Sequence, residues 1–190
     1  MDAMEDPATL LDHRRGGPET SDYGALIRAI TGQQVSVHAA RAIDGRLRAR
    51  YGDAYPTPEQ VLADDPVALK TAVGLSRMKV AYLRSLAEHA LDGSLELGRL
   101  NELDDDAVIA ELVAVKGIGE WTAQIFLMFQ LGRPDVLAVG DLGVRRGAQL
   151  AYGMPELPTP AELTAMAQPW RPHRSVACRL LWWSLNNAPG

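Results

Sequence analysis

The stretch Leu112 to Gln124, LVAVKGIGEWTAQ, constrains this chain more than any other, because it forces a reversal between two helices. An acidic run at Asp104, Asp105 and Asp106 opens a helix carrying Val108, Leu112 and Val115 on one face, and Lys116-Gly117-Ile118-Gly119 then turns the backbone sharply. A second helix begins at once, with Trp121, Ile125, Met128 and Phe129 at helical spacing, and stops at Gly132-Arg133-Pro134. Two glycines flanking one apolar residue let a ligand approach the backbone closely, and the new helix offers unpaired N–H groups and a positive dipole end. Such a turn is an anion site made of backbone, suited to a nucleic-acid phosphate. The same pattern is also an ordinary way to fold two helices back on each other.

The rest of the chain reads as helices separated by Gly and Pro stops. Ser21 or Asp22 caps a helix carrying Leu26, Ile27 and Ile30, and Gly32 interrupts it. A longer helix spans about Ser36 to Arg50, shorter ones Glu59 to Ala63 and Pro66 to Val73, and Ser76 caps a helix that ends at Asp92-Gly93. Beyond Asp141, in AVGDLG, a helix runs to Tyr152-Gly153, another lies around Glu162 to Ala167, and a last one spans about His173 to Leu185. No segment alternates cleanly enough for a strand, so the expected class is all-α. Residues 1–20 form an irregular lead-in with one short helix around Leu10, ahead of a helical body over 21–190.

A chain of 190 residues with 47% hydrophobic content can bury one sizeable core, or two lobes sharing an interface. MDAMEDPATL lacks the features of a secretory signal, and no apolar run reaches the length of a membrane span, so a cytoplasmic protein is expected. Cys178 is the only cysteine, which excludes an internal disulfide, a paired-cysteine zinc site and a four-cysteine iron–sulfur cluster. His38, His89 and His173 lack metal-ligand spacing. A net charge of −5 argues against a broadly basic nucleic-acid-binding face. The cations are bunched, however, at Arg77 and Lys79, at Lys116, Arg145 and Arg146, and at Arg171, Arg174 and Arg179. A few phosphate contacts would give modest affinity and a shallow salt slope.

Lys116 beside the glycine turn, the apolar hairpin, and Asp141 at the start of the next helical segment together resemble the helix-hairpin-helix and following Gly, Pro and Asp of the HhH-GPD superfamily of DNA glycosylases. Ile30-Thr31-Gly32-Gln33-Gln34-Val35-Ser36, Trp170-Arg171-Pro172-His173-Arg174-Ser175 and Leu181-Trp182 are similar to segments of its 3-methyladenine DNA glycosylase II branch. The resemblance covers nearly the whole chain from about Ser21. It implies a two-lobed helical body with the active-site cleft between lobes: a central lobe of about 34–131, including the hairpin 112–124, and a second lobe of the N-terminal residues plus about 132–190. It also implies that the N-terminal β domain of the full-length bacterial relative is absent.

Site residues follow from the same resemblance. Asp141 falls on the family's catalytic aspartate, and a fixed carboxylate stabilises the positive charge that builds on the sugar as an N-glycosidic bond breaks. From its position alone, Asp141 is a helix N-cap. Trp121 stands where strand-cleaving relatives carry a lysine, and an indole cannot form a Schiff base. The resemblance therefore implies a monofunctional enzyme that uses water to release alkylated purines from double-stranded DNA. Trp121 and Trp182 match pocket aromatics that would hold a cationic base, at about 0.5 to 2 kcal/mol, whereas Ile125 replaces a second pocket aromatic. Trp170 and Trp183 read as core. Gln34 occupies the position that fills the gap left by a flipped base, and Gly117 and Gly119 would grip phosphate with Lys116, Arg145 and Arg174 nearby. No cofactor is required, although hairpin carbonyls could hold a structural cation, and a monomer without membrane partners is expected. Two alternatives stand beside this reading: excision of deaminated or oxidised bases, and a helix-hairpin-helix module that binds damaged DNA without chemistry.

Overall fold

The computed structural model describes residues 21–186, which contain ten α-helices and no strand. The lead-in over 1–20, with its helix around Leu10, lies outside the described residues. The helices start where short polar side chains can accept from the first free amides. Ser21 Oγ accepts from Gly24 N at the head of α1 (Asp22–Gly32), Ser36 Oγ from Ala39 N at α2 (Val37–Arg50), and Asp65 from Ala68 N at α4 (Pro66–Val73). Between α2 and α4, α3 (Pro58–Ala63) opens on a capping box in which Thr57 and Gln60 satisfy each other's backbone amides. Ser76 caps α5 (Arg77–Asp92), and Asp104 caps α6 (Asp105–Ala114).

The hairpin leads into α7 (Glu120–Phe129), and Asp141 caps α8 (Leu142–Ala151). A second capping box, Thr159 with Glu162, opens α9 (Pro160–Met166), and α10 runs over Arg174–Asn186. Both boxes carry Pro at the first helical position, so α3 and α9 begin earlier than the apolar spacing indicates. A 3-10 helix over Leu97–Glu102 buries Leu100 and is too short to be visible as a periodic pattern. Among the described residues no helix is long and apolar enough to cross a membrane.

Contacts divide the chain inside α7, into Gly16–Ala123 and a unit that takes up Gln124–Gly190. In the first unit α1 packs on α2 and α5, α3 on α5, and α2 on α4. Its core includes Leu26, Ile27, Ile30, Leu47, Leu83, Leu86 and Leu112, each fully buried. In the first unit Leu26, Ile27 and Ile30 give α1 a buried face, and it packs on α2 and α5. Leu127 and Met128, at the end of α7, are buried in the second unit.

In the second unit α8 packs on α10 and α9 on α8. Val144, Ala148, Leu163 and Cys178 are fully buried there, and burial pushes the Cys178 thiol up to about 11, so it behaves as a small apolar filler. The α8–α10 approach depends on Gly147, where an added Cβ would lie 2.7 Å from the Leu181 carbonyl oxygen. That obstacle is backbone and cannot rotate away. Gly147→Ala should therefore destabilise the protein by about 1 to 3 kcal/mol, read as a lower midpoint in denaturant unfolding; an unchanged midpoint would mean that the helices slide apart at no cost.

Candidate active site

The turn between α6 and α7 is built on α5. Val115 N donates to Leu112 O and Ile118 N to Val115 O, each at 3.1 Å, which closes α6 and tightens the turn. Gly117 has φ of 92°, and a Cβ there would lie 2.2 Å from Cγ of Tyr82, so its backbone rests directly on the ring. One turn further along α5, Ser85 Oγ accepts from Lys116 N at 3.2 Å. Ile118 is buried, whereas Lys116 and Gly119 are exposed. Among the described residues, neither Gly117 N nor Gly119 N has a protein acceptor, which leaves both as donors for an anion.

The loop between α1 and α2 lies against this turn. Gln33 Nε2 donates to Gly117 O at 2.8 Å, and Lys79 Nζ, from α5, donates to Thr31 O at 2.7 Å. Gln34 is exposed and has φ of 55°, a left-handed conformation that costs a non-glycine residue about 1 kcal/mol or more. The sequence groups Lys79 with Arg77 among the bunched cations; its half-buried ammonium is committed to Thr31 O, and the partial burial lowers its pKa. Gln33 was legible only as the neighbour of Gln34. Trp121, on the first turn of α7, is 48% exposed, which removes it from the core-packing class.

In the second unit Asp141 serves α8 and Trp182 together. Its Oδ1 accepts from Val144 N at 2.7 Å as the helix cap and from Trp182 Nε1 at 2.8 Å. Two donors converging on one oxygen fix the plane of the carboxylate. Gly143 makes room for this, since a Cβ there would lie 2.9 Å from Trp182 Cδ1 and 3.0 Å from Asp141 Oδ1. The Trp182 ring stacks on Phe129 with centroids 6.1 Å apart and planes 25° apart. The buried Arg179 guanidinium lies 5.6 Å from the other ring's centroid, that of Phe129. Phe129 was missed as a site residue, although it stands one helical turn beyond the half-buried Ile125 and supplies an aromatic ring from the same helix.

Several cations are anchored to the protein. Arg174 clamps Asp135, with Nε to Oδ1 at 2.6 Å and Nη2 to Oδ2 at 2.9 Å, and Arg171 lies 3.2 Å from the same carboxylate. Arg174 thereby ties α10 to the loop after α7. Arg145 Nε donates to Pro158 O at 2.6 Å. Among the described residues no cluster of His, Cys, Asp and Glu could hold a metal ion.

Residues 27–172 match the HhH-GPD superfamily base excision DNA repair protein family. The chain belongs to this superfamily. Its relatives include DNA-3-methyladenine glycosylase 1 of Schizosaccharomyces pombe, 33% identical over 162 residues that cover 84% of this chain and 71% of that protein. Among solved superfamily structures it is similar to the Bacillus halodurans DNA-3-methyladenine glycosidase, at 40% identity and a TM-score of 0.80 over 87% of this chain and 76% of that one. It is likewise similar to the S. pombe 3-methyladenine DNA glycosylase in complex with abasic DNA, at 29% identity and a TM-score of 0.81 over 96% of this chain and 90% of that one. The all-α class and the superfamily resemblance read from the sequence both hold.

The Asp135 clamp makes a stability prediction. Arg174 beside it, first by hydrogen bonding, holds the carboxyl below its ordinary value of 3.8. A depressed folded-state pKa gives stability that is present above the unfolded value and lost as pH falls through the folded one. Asp135→Asn should therefore lower the melting temperature near neutrality and make it less sensitive to acid below about pH 4. Parallel acid limbs for the two proteins would contradict this.

Proposed function

We propose that this chain is a monofunctional DNA glycosylase of base excision repair that hydrolyses the N-glycosidic bond of alkylated purines and leaves an abasic site. The observation that carries the assignment is the Asp141 carboxylate, oriented by Val144 N and Trp182 Nε1 beside an aromatic stack, in a chain whose relatives are 3-methyladenine glycosylases.

A methylated purine such as 3-methyladenine or 7-methylguanine carries positive charge, which makes it a good leaving group and draws it to an electron-rich ring face. Trp182, stacked on Phe129, offers such a face. As the glycosidic bond lengthens, positive charge passes to the sugar. A carboxylate already in place stabilises that charge without having to reorganise, and it can orient the attacking water. The bonding electrons leave with the base, water adds to the anomeric carbon, and its proton is released. With Trp121 at the position of the lyase lysine, no covalent sugar–enzyme intermediate forms and the strand stays intact.

On the DNA side, the amides of Gly117 and Gly119 grip phosphate beside the exposed Lys116 side chain, and Gln34 enters the space vacated by the flipped base. Arg145 has Nε committed to Pro158 O and keeps its other guanidinium nitrogens for phosphate. A monovalent or divalent cation on hairpin carbonyls is compatible with the turn, since Val115 O and Gly117 O each accept one hydrogen bond and keep a second lone pair. Such a cation would add charge against phosphate, and all the chemistry belongs to side chains. The partner is damaged double-stranded DNA, the working form a monomer, and the compartment the cytoplasm, at the nucleoid.

Asp141→Asn keeps the cap geometry and removes the charge. It should lower single-turnover excision from an alkylated duplex by at least roughly 100-fold while retaining the gel shift of abasic DNA. Wild-type turnover in this variant would remove Asp141 from the chemistry.

A further inference from the structure

We propose that Gln33 is a positioning residue for base flipping: its side-chain amide, donated to Gly117 O, couples the loop that presents Gln34 to the hairpin that grips the DNA backbone. The proposal rests on the reading of Gln34 and the hairpin given above.

The bond joins segments 84 residues apart in sequence, at 2.8 Å. Both ends are also fixed to α5. Lys79 holds Thr31 O on the loop side, Tyr82 lies under Gly117, and Ser85 takes Lys116 N on the hairpin side. Positions 79, 82 and 85 follow one another along a single face of α5. The Gln33 amide then ties loop to hairpin directly, from the residue adjoining Gln34.

The need for such a strap follows from what Gln34 must do. An extruded base tends to return to the stack, and the residue that fills its place must resist that return. Gln34 is a flexible, polar filler on an exposed loop, and its left-handed backbone is uphill for a residue with a side chain. Left alone, it would relax. Held by its neighbour to the hairpin, it becomes part of the surface that seizes phosphate, so the free energy of backbone binding also presses the filler into the duplex. Gln33 touches no reacting atom on this account. It acts through Gln34.

The test uses a duplex carrying 2-aminopurine as the target base, whose fluorescence rises when it leaves the stack, and a pair of excision substrates with the same alkylated base either paired or set opposite an abasic gap. The variants are Gln33→Ala and Gln33→Met, the second retaining side-chain volume without a donor. Both should bind abasic duplex within about threefold of wild type but lose more than half of the fluorescence rise at saturation. Both should excise from paired duplex about tenfold more slowly, the scale of one ordinary hydrogen bond, and at nearly the wild-type rate opposite the gap. Gln34→Ala should share this profile. Asp141→Asn should keep the fluorescence rise and lose excision from both substrates, so a wrong catalytic assignment appears in that variant and leaves the Gln33 result readable. Should Gln33→Ala fail to fold, Gln33→Met decides. The proposal is overturned by a full fluorescence rise in the Gln33 variants, by equal losses on both excision substrates, or by a wild-type protein that produces no rise at all.

Discussion

The backbone of Gly117 lying on the ring of Tyr82 is the constraint on which the hairpin and the loop packed against it depend. No other residue type allows it, because a Cβ would lie 2.2 Å from that ring and φ is 92°. With Gly117 seated there, Ser85 reaches Lys116 N, Ile118 turns into the core, and Gln33 reaches the Gly117 carbonyl. One helix, α5, thus sets the hairpin and the preceding loop in register through Lys79, Tyr82 and Ser85. The free amides of Gly117 and Gly119 are positioned by packing, with no charged side chain required, so the phosphate grip proposed for them is compatible with a net charge of −5.

The second unit solves a different problem with equal economy. The role proposed for Asp141 requires a carboxylate that is held still, and here the bonds that hold it are those that start a helix and dock its neighbour. Asp141 Oδ1 caps α8 and receives the Trp182 indole N–H from α10. The glycine at 143 admits Trp182, and the glycine at 147 admits the α10 backbone. Helix stability and carboxylate orientation are therefore the same interactions, so the cap and the proposed catalytic role, which compete as interpretations of a lone Asp before a helix, are compatible in one residue.

Most of the helices were legible in the sequence because their ends are written in short polar caps and Gly or Pro stops, as at Ser76, Asp104 and Gly93. The hairpin and Asp141 were legible because a turn and a cap are local events. What was not legible is long-range partnering. An amide at 33 has no preference in sequence for a carbonyl at 117, and Arg174 carries no mark that it will close on Asp135. Lys79 looks like a surface cation until Thr31 O is placed beside it. Phe129 was readable as apolar spacing in α7, but its stack on Trp182 depends on the packing of α10.

The central claim is that this chain excises alkylated purines by hydrolysis and does not cut the strand. The direct measurement is incubation of the purified protein with methylated duplex DNA, followed by chromatography of the free bases and by strand analysis before and after alkali. The account predicts released methylpurines and breaks that appear only after alkali. Breaks without alkali would contradict the reading of Trp121, and retained binding with no released base would contradict the assignment of chemistry to Asp141.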